Sequence, residues 1–122
     1  NARLNYRQYD PGHMMENIIY NELLYRGYSV DVGVVTDRTG GANVQREIDF
    51  VVNDADKKIY IQSAFRMDTD RKESSELASL TLTKDFFKKI IVRMDISHNF
   101  YDDNGIFHCN LIDMLLGRME LF

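Results

Sequence analysis

The chain reads as a mixed α/β (α+β) domain, a mixed sheet with helices on its faces, in the order α-β-β-β-α-β and then a short β-α. Three observations predict it. An apolar stripe at helical spacing comes first, and three alternating, β-branched segments with short polar connections follow. A polar stretch of helical spacing then separates the third of these from a fourth, more apolar strand. With 122 residues, 44% of them hydrophobic and only one proline, the length suits a single domain with a real core and excludes a disordered chain.

Residues 1–12 read as a linker or arm, with "DPG" (Asp10 to Gly12) as a turn. "HMMENIIYNELLYR" (His13 to Arg26) carries Met15, Ile18, Ile19, Leu23 and Leu24 on one helical face, and Gly27 stands where such a helix most easily ends. "YSVDVGVV" (Tyr28 to Val35) alternates and is β-branched, so it predicts a strand. "TDRTGGAN" is a turn-rich connection, after which "VQREIDFVV" and "KIYIQSAF" predict strands joined by the hairpin-length loop "NDADK". Three consecutive strands of this kind form an antiparallel meander.

Thr69 to Asp85 is polar, with Leu77 and Leu80 spaced for a helix and Asp70 and Glu73 in capping-box spacing at its start. "KKIIVRMDI" (Lys88 to Ile96) is apolar enough for a central strand, and the intervening helix permits a parallel crossover to it. "DDNG" (Asp102 to Gly105) is a turn, "IFHCN" a short strand and "LIDMLLG" a closing helix.

Composition narrows the function. The net charge of −4, from 19 acids and 15 bases, argues against a protein whose main task is gripping nucleic acid. One cysteine, Cys109, excludes an internal disulfide framework and fits a reducing cytoplasm. No apolar run approaches the roughly 20 residues of a membrane span, and "NARLNYRQYD" lacks the apolar core of a signal peptide. The absence of an initial methionine suggests a piece of something longer. "TGGAN" has no following Lys-Ser/Thr and is no P-loop. In "YDDNG", Phe100 and Leu111 would occupy ligand positions of a calcium loop, so that reading fails. His108 and Cys109 are strand neighbours pointing to opposite faces, which excludes a shared metal. Lys84, Lys88, Lys89 and Arg93 form a basic cluster that reads first as the solvated flanks of a strand.

Three pieces line up differently: Glu16 on the first helix, Asp49 in the second strand, and "IQSA" in the third. This order resembles the PD-(D/E)XK nuclease superfamily. The resemblance implies a restriction-endonuclease-like core, in which an acid on the first helix, an Asp on the second strand and an (E/Q)xK on the third meet at a metal. Carried over by position, these are Glu16, Asp49, Gln62 and Ala64. More specifically, "NARLNYRQ", "MENIIYNELLYRGYSVDVGVV", "REIDFVV" and "YIQSAF" look like the C-terminal domain, of unknown function, of a prokaryotic AAA+-type ATPase family. That likeness implies that residues 1–12 link to a missing N-terminal ATPase and winged-helix part, and that 13–122 form the PD-(D/E)XK-like domain. It also implies that ATP belongs to the missing module, which becomes the first expected partner.

Phosphodiester hydrolysis needs Mg²⁺ held by carboxylates, and a lysine that orients water and stabilises developing charge. Residues two apart on a strand share a face, so Gln62 and Ala64 are expected on the Asp49 side. Gln62 offers only a neutral oxygen. Ala64 offers nothing, and losing such a group commonly costs about 10²–10⁴ in rate. Arg66, next on that face, lies roughly 7 Å further along. Each residue also has a plain reading. Asp49 can hold a backbone N–H, Glu16 can be a solvated or ion-paired helix acid, and Gln62 can be a hydrogen-bonded sheet residue.

The expectation is a degenerate, non-catalytic module that binds an unknown protein partner or packs against the ATPase, without a cofactor of its own beyond residual Mg²⁺ at Glu16 and Asp49. A divergent metal-dependent nuclease or a nucleic-acid-binding accessory are the alternatives. Restoring Glu at 62 and Lys at 64 should return weak metal binding if the side chains converge. One test follows from the missing phosphate loop: the chain neither binds nor hydrolyses ATP, and saturable heat of micromolar affinity on calorimetric titration with Mg-ATP would overturn this.

Overall fold

The computed structural model describes residues 11–38, 41, 43–65, 77–83 and 85–122. Residues 1–10 of the expected arm at 1–12, the Asp70–Glu73 capping box, Arg66 and Lys84 lie outside them, and Pro11 and Gly12, expected in a turn, instead open the first helix. Helix α1 (Pro11–Tyr25) opens two residues earlier than the apolar stripe suggests. Pro11 suits that first position because its missing N–H would have had no helical partner. Met15, Ile19 and Leu23 form the buried stripe, each contributing about 1.5–3 kcal/mol. Ile18 and Leu24, expected on the same face, remain substantially exposed; they flank a contact only one row wide. The helix ends as expected. Gly27, with φ of 87°, lets its own N–H reach Leu24 O and the Tyr28 N–H reach Leu23 O.

Six strands form one sheet, β1 (Ser29–Asp37), β2 (Val44–Asp54), β3 (Lys57–Ala64), β4 (Lys88–Arg93), β5 (Phe100–Tyr101) and β6 (Phe107–Asn110), in the spatial order β1-β2-β3-β4-β6-β5. β1, β2 and β3 make the antiparallel meander, β3 and β4 are parallel, and β4 and β6 are parallel. The β2–β3 hairpin closes at Asp54–Lys57, with Ala55 at a positive φ of 57° in the two-residue turn. β4 stops at Arg93 rather than continuing to Ile96, and β5, not foreseen, pairs antiparallel with β6. Helix α2 is described over 77–81. Helix α3 (Leu111–Leu115) starts at Asn110, whose side chain accepts the Ile112 N–H at 2.8 Å.

Each face of the sheet has its own core. On one side Met15, Ile19 and Leu23 pack on Phe50, Val52, Ile61, Ile90 and Val92 of β4 and Cys109 of β6. On the other, Leu80 of α2 packs with Ile48, Ala64, Ile91 and Ile106.

A bulge divides them. Asp31 pairs with Val51 and Gly33 with Ile48, so two residues of β2, Asp49 and Phe50, oppose only Val32 of β1. Ile48 and Val51 therefore share the α2 face although three residues apart, and Phe50 turns to α1. Gly33 sits at the crowded point. A Cβ there would stand 2.7 Å from Val51 Cγ2 and 3.2 Å from Ile48 Cβ. Gly33→Ala is expected to cost about 1–3 kcal/mol through overpacking, read as a lower urea midpoint with an unchanged slope. A midpoint equal to that of the wild type would show that β1 and β2 separate freely.

Candidate functional site

The bulge decides what Asp49 does. Ladder pairing between β2 and β3 runs only from Asp54–Lys57 to Phe50–Ile61. Beyond it, side chains replace the ladder. The Asp49 N–H donates to Gln62 Oε1 at 3.0 Å, and the Ser63 N–H donates to Asp49 Oδ2 at 2.9 Å. Two backbone donors at the parting of two strands are thus satisfied by the two side chains that the sequence singled out as metal ligands. Ser63 is only 7% exposed, so its N–H has no recourse to solvent.

The structure brings Asp49 and Gln62 together, and Ala64, two residues further along β3, shares the α2 face with Gln62. The Ala64 methyl is 4% exposed and packs in the α2-side core with Ile48, Leu80 and Ile91. Glu16 lies half-buried on α1, on the other face of the sheet. It is four residues before Tyr20 and shares its stripe. Tyr20 stacks on Phe50 with ring centroids 6.3 Å apart, which turns that stripe toward the Asp49 end of β2. Tyr20, Val30, Asp31, Val32, Asp49 and Phe50 line an open hollow of about 300 Å³.

Burial pushes the Asp49 carboxyl above its ordinary range, the Ser63 N–H pulls it partly back, and the charge on Glu47 raises it further. Among the described residues no three His, Cys, Asp or Glu side chains gather as metal ligands. The residues present do not fit the Mg²⁺ that the resemblance implies. Gln62 Oε1 and one Asp49 oxygen are already engaged by backbone N–H groups, and position 64 has no donor at all.

The basic cluster does not form one patch among its described members. Lys88 donates to Glu120 O at 3.2 Å and lies 5.3 Å above the Phe107 ring. Lys89 turns to the other face, pairs with Asp85 at 3.2 Å and lies 5.7 Å above the Tyr60 ring. The Tyr60 hydroxyl donates to the same Asp85 at 2.6 Å. Burial and that carboxylate push its pKa up to about 12.

Arg93 is buried in a network that sequence reasoning missed. Its guanidinium holds Asp95 through two bonds of 2.7 and 2.9 Å and approaches His108 Nδ1 at 2.9 Å. Arginine can only donate, so Nδ1 is the unprotonated nitrogen and Nε2–H donates to Asp102 Oδ2 at 2.7 Å. Phe100 stacks on the imidazole at 4.5 Å. Burial alone would raise the Asp102 pKa. The bonds from His108 and the N–H groups of Ile106 and Asn104 outweigh it and hold the pKa low. A signal was present: an arginine at the end of "KKIIV" and a histidine in "IFHCN" are charged or polar residues in otherwise apolar strands. Cys109, beside His108, points into the α1-side core. Burial, more than the nearby Asp113, pushes its thiol up to about 12.

A family profile described as a domain of unknown function, DUF4143, matches residues 11–111. An uncharacterized protein of Haemophilus influenzae is 36% identical over 105 residues, which cover 84% of this chain and 22% of that protein. The chain therefore spans about a fifth of the length of this curated relative. No helix among the described residues is long and apolar enough to cross a membrane.

The geometry separates two substitutions at Asp49. Asp49→Ala leaves the Ser63 N–H without its acceptor and is expected to cost about 1–3 kcal/mol. Asp49→Asn keeps an acceptor and removes a charge that burial disfavours, so it should be close to neutral at pH 7. The sign of the pH dependence follows from a folded-state pKa above the unfolded one. The native state then holds the extra proton, and stability from this group rises as pH falls through the folded value toward the ordinary one. Denaturation from pH 7 downward should show wild type gaining on Asp49→Asn. A difference constant with pH would mean Asp49 is no more buried than a surface acid.

Proposed function

Since the chain belongs to the DUF4143 family, we propose that it is a non-catalytic accessory domain of a longer protein, serving partner binding or packing within that protein. The finer reading rests on the sequence resemblance: a PD-(D/E)XK-like module attached to an ATP-binding part of the AAA+ type, which would carry all nucleotide chemistry. One observation carries the non-catalytic reading. The three strand positions that would have to supply ligands and a lysine are committed to the fold, Asp49 and Gln62 to each other's strand and Ala64 to the core. The small share of the relative that this chain covers supports a role as one part of a larger assembly.

The chemistry lost is specific. A phosphodiester transition state needs charge relief beside the attacked phosphorus. A methyl at position 64 cannot provide it, and Lys88, Lys89 and Arg93 are held by carboxylates, a carbonyl and an imidazole. The purified chain is expected to leave single-stranded, double-stranded and branched DNA intact with Mg²⁺ or Mn²⁺. Metal-dependent cleavage that disappears in Asp49→Ala would establish the divergent-nuclease alternative instead. The restoring pair Gln62→Glu and Ala64→Lys, attractive from strand spacing, should lower stability rather than return metal binding. It puts an ammonium against Leu80 and Ile91 and a second carboxylate beside the half-buried Asp49. Calorimetric titration with Mn²⁺ beside a urea melt of that double variant reads both effects.

A further inference from the structure

Among the described residues β1 has a neighbour on one side only. It is nine residues long and contains neither proline nor lysine. Such an edge offers a row of unpaired N–H and C=O groups, with Asp31 and Asp37 its only charged residues. Its α1-side face is apolar and open, with Val32 65% exposed and Val34 55% exposed. Tyr20, also exposed, borders Val32 at the hollow beside Asp49.

We propose that β1 pairs antiparallel with β1 of a second copy of this chain, about a two-fold axis at Gly33, so that the two sheets become one. The sequence of β1 is self-complementary in that register. Val32 stands opposite Val34 of the second copy, and Val34 opposite its Val32, which closes both exposed valines into one apolar seam. Asp31 stands opposite Val35, and Val30 opposite Thr36, so no like charges face each other in the central seven residues. Moving the axis to Asp31 would oppose the two Asp31 carboxylates, and moving it to Val35 would leave Val34 against Thr36. Directly opposed side chains share a face, and the two-fold keeps both α1 helices on the same side of the joined sheet. Tyr20 of each copy then flanks the seam. Gly33 at the axis adds no side chain where the two backbones meet. The interface is isologous, as a closed dimer requires.

The register makes the test specific, and it is independent of whether the Asp49 site is catalytic. Sedimentation equilibrium of the 122-residue chain should report a monomer–dimer equilibrium. Val32→Lys alone and Val34→Glu alone should each weaken dimerisation about tenfold or more, because each substitution enters two symmetry-related pairs. The double variant Val32→Lys/Val34→Glu opposes a lysine to a glutamate at both pairs and should recover most of the loss. Circular dichroism of each variant checks that the fold persists. A wild-type chain that stays monomeric overturns the proposal, as does a dimer indifferent to either single substitution. Single variants that dissociate without recovery in the double variant overturn the Gly33 register, whereas a monomeric wild type leaves the edge to a strand of another protein or of the rest of a longer chain.

Discussion

The latch between Asp49 and the start of the β2–β3 divergence is the interaction on which the rest of the meander depends. One extra residue in β2 interrupts the ladder to β1, and the side chain at that residue repairs the ladder to β3. Without the extra residue, strict alternation would place Ile48 on the same face as Phe50 and empty the α2-side core of its largest β2 contribution. With it, Ile48 and Val51 line one core and Phe50 and Val52 the other. The cost is two backbone donors left without carbonyl partners, and Gln62 and Asp49 accept them. Gly33 completes the arrangement from β1, because a side chain there has no room beside Val51.

The other half of the sheet is held by a different device. β4 and β6 are parallel and short, and an arginine buried between them costs several kcal/mol unless it is paired. Arg93 is paired twice, to Asp95 within its own turn and to His108 across the strand gap, and His108 passes the connection to Asp102 in the turn before β6. A permanently charged donor on one side fixes the histidine tautomer and thereby the direction of the whole chain of bonds. The network pins the β4–β6 register and the β5 turn in one step, and Phe100 covers the imidazole from the last strand.

Much of the fold was legible because it rests on periodicity. The Met15–Ile19–Leu23 stripe, the Gly27 stop, the meander and the parallel step to β4 all follow from spacing and turn chemistry. The bulge did not, since "REIDFVV" has the same apolar pattern whether Ile48 pairs on one face or the other. Only the crowding of Gly33 against two β2 side chains distinguishes them, and that is a three-dimensional fact. β5 escaped for a related reason, since two residues carry no period. The candidate site was legible as a set of positions but not as a geometry. Gln62 and Asp49 each accept a backbone N–H from the other's strand. Ala64 faces away from α1 because the helix that follows β3 covers that side with Leu80, whose packing no strand pattern encodes.

Asp49, Gln62 and Ala64 differ in what each holds up in the sheet. Ala64 meets no polar demand of the sheet, and its methyl fills space beside Ile91. An acid at position 49 is different. The bulge aims it at a buried N–H that some acceptor must satisfy, whether or not a metal is near. Gln62 is held by the same argument from the opposite strand, since it accepts the N–H that the bulge frees. The residues at Asp49 and Gln62 therefore carry a structural debt that position 64 never had. The one feature the debt leaves unexplained is the charge on Asp49, since an amide would accept the Ser63 N–H without the burial cost.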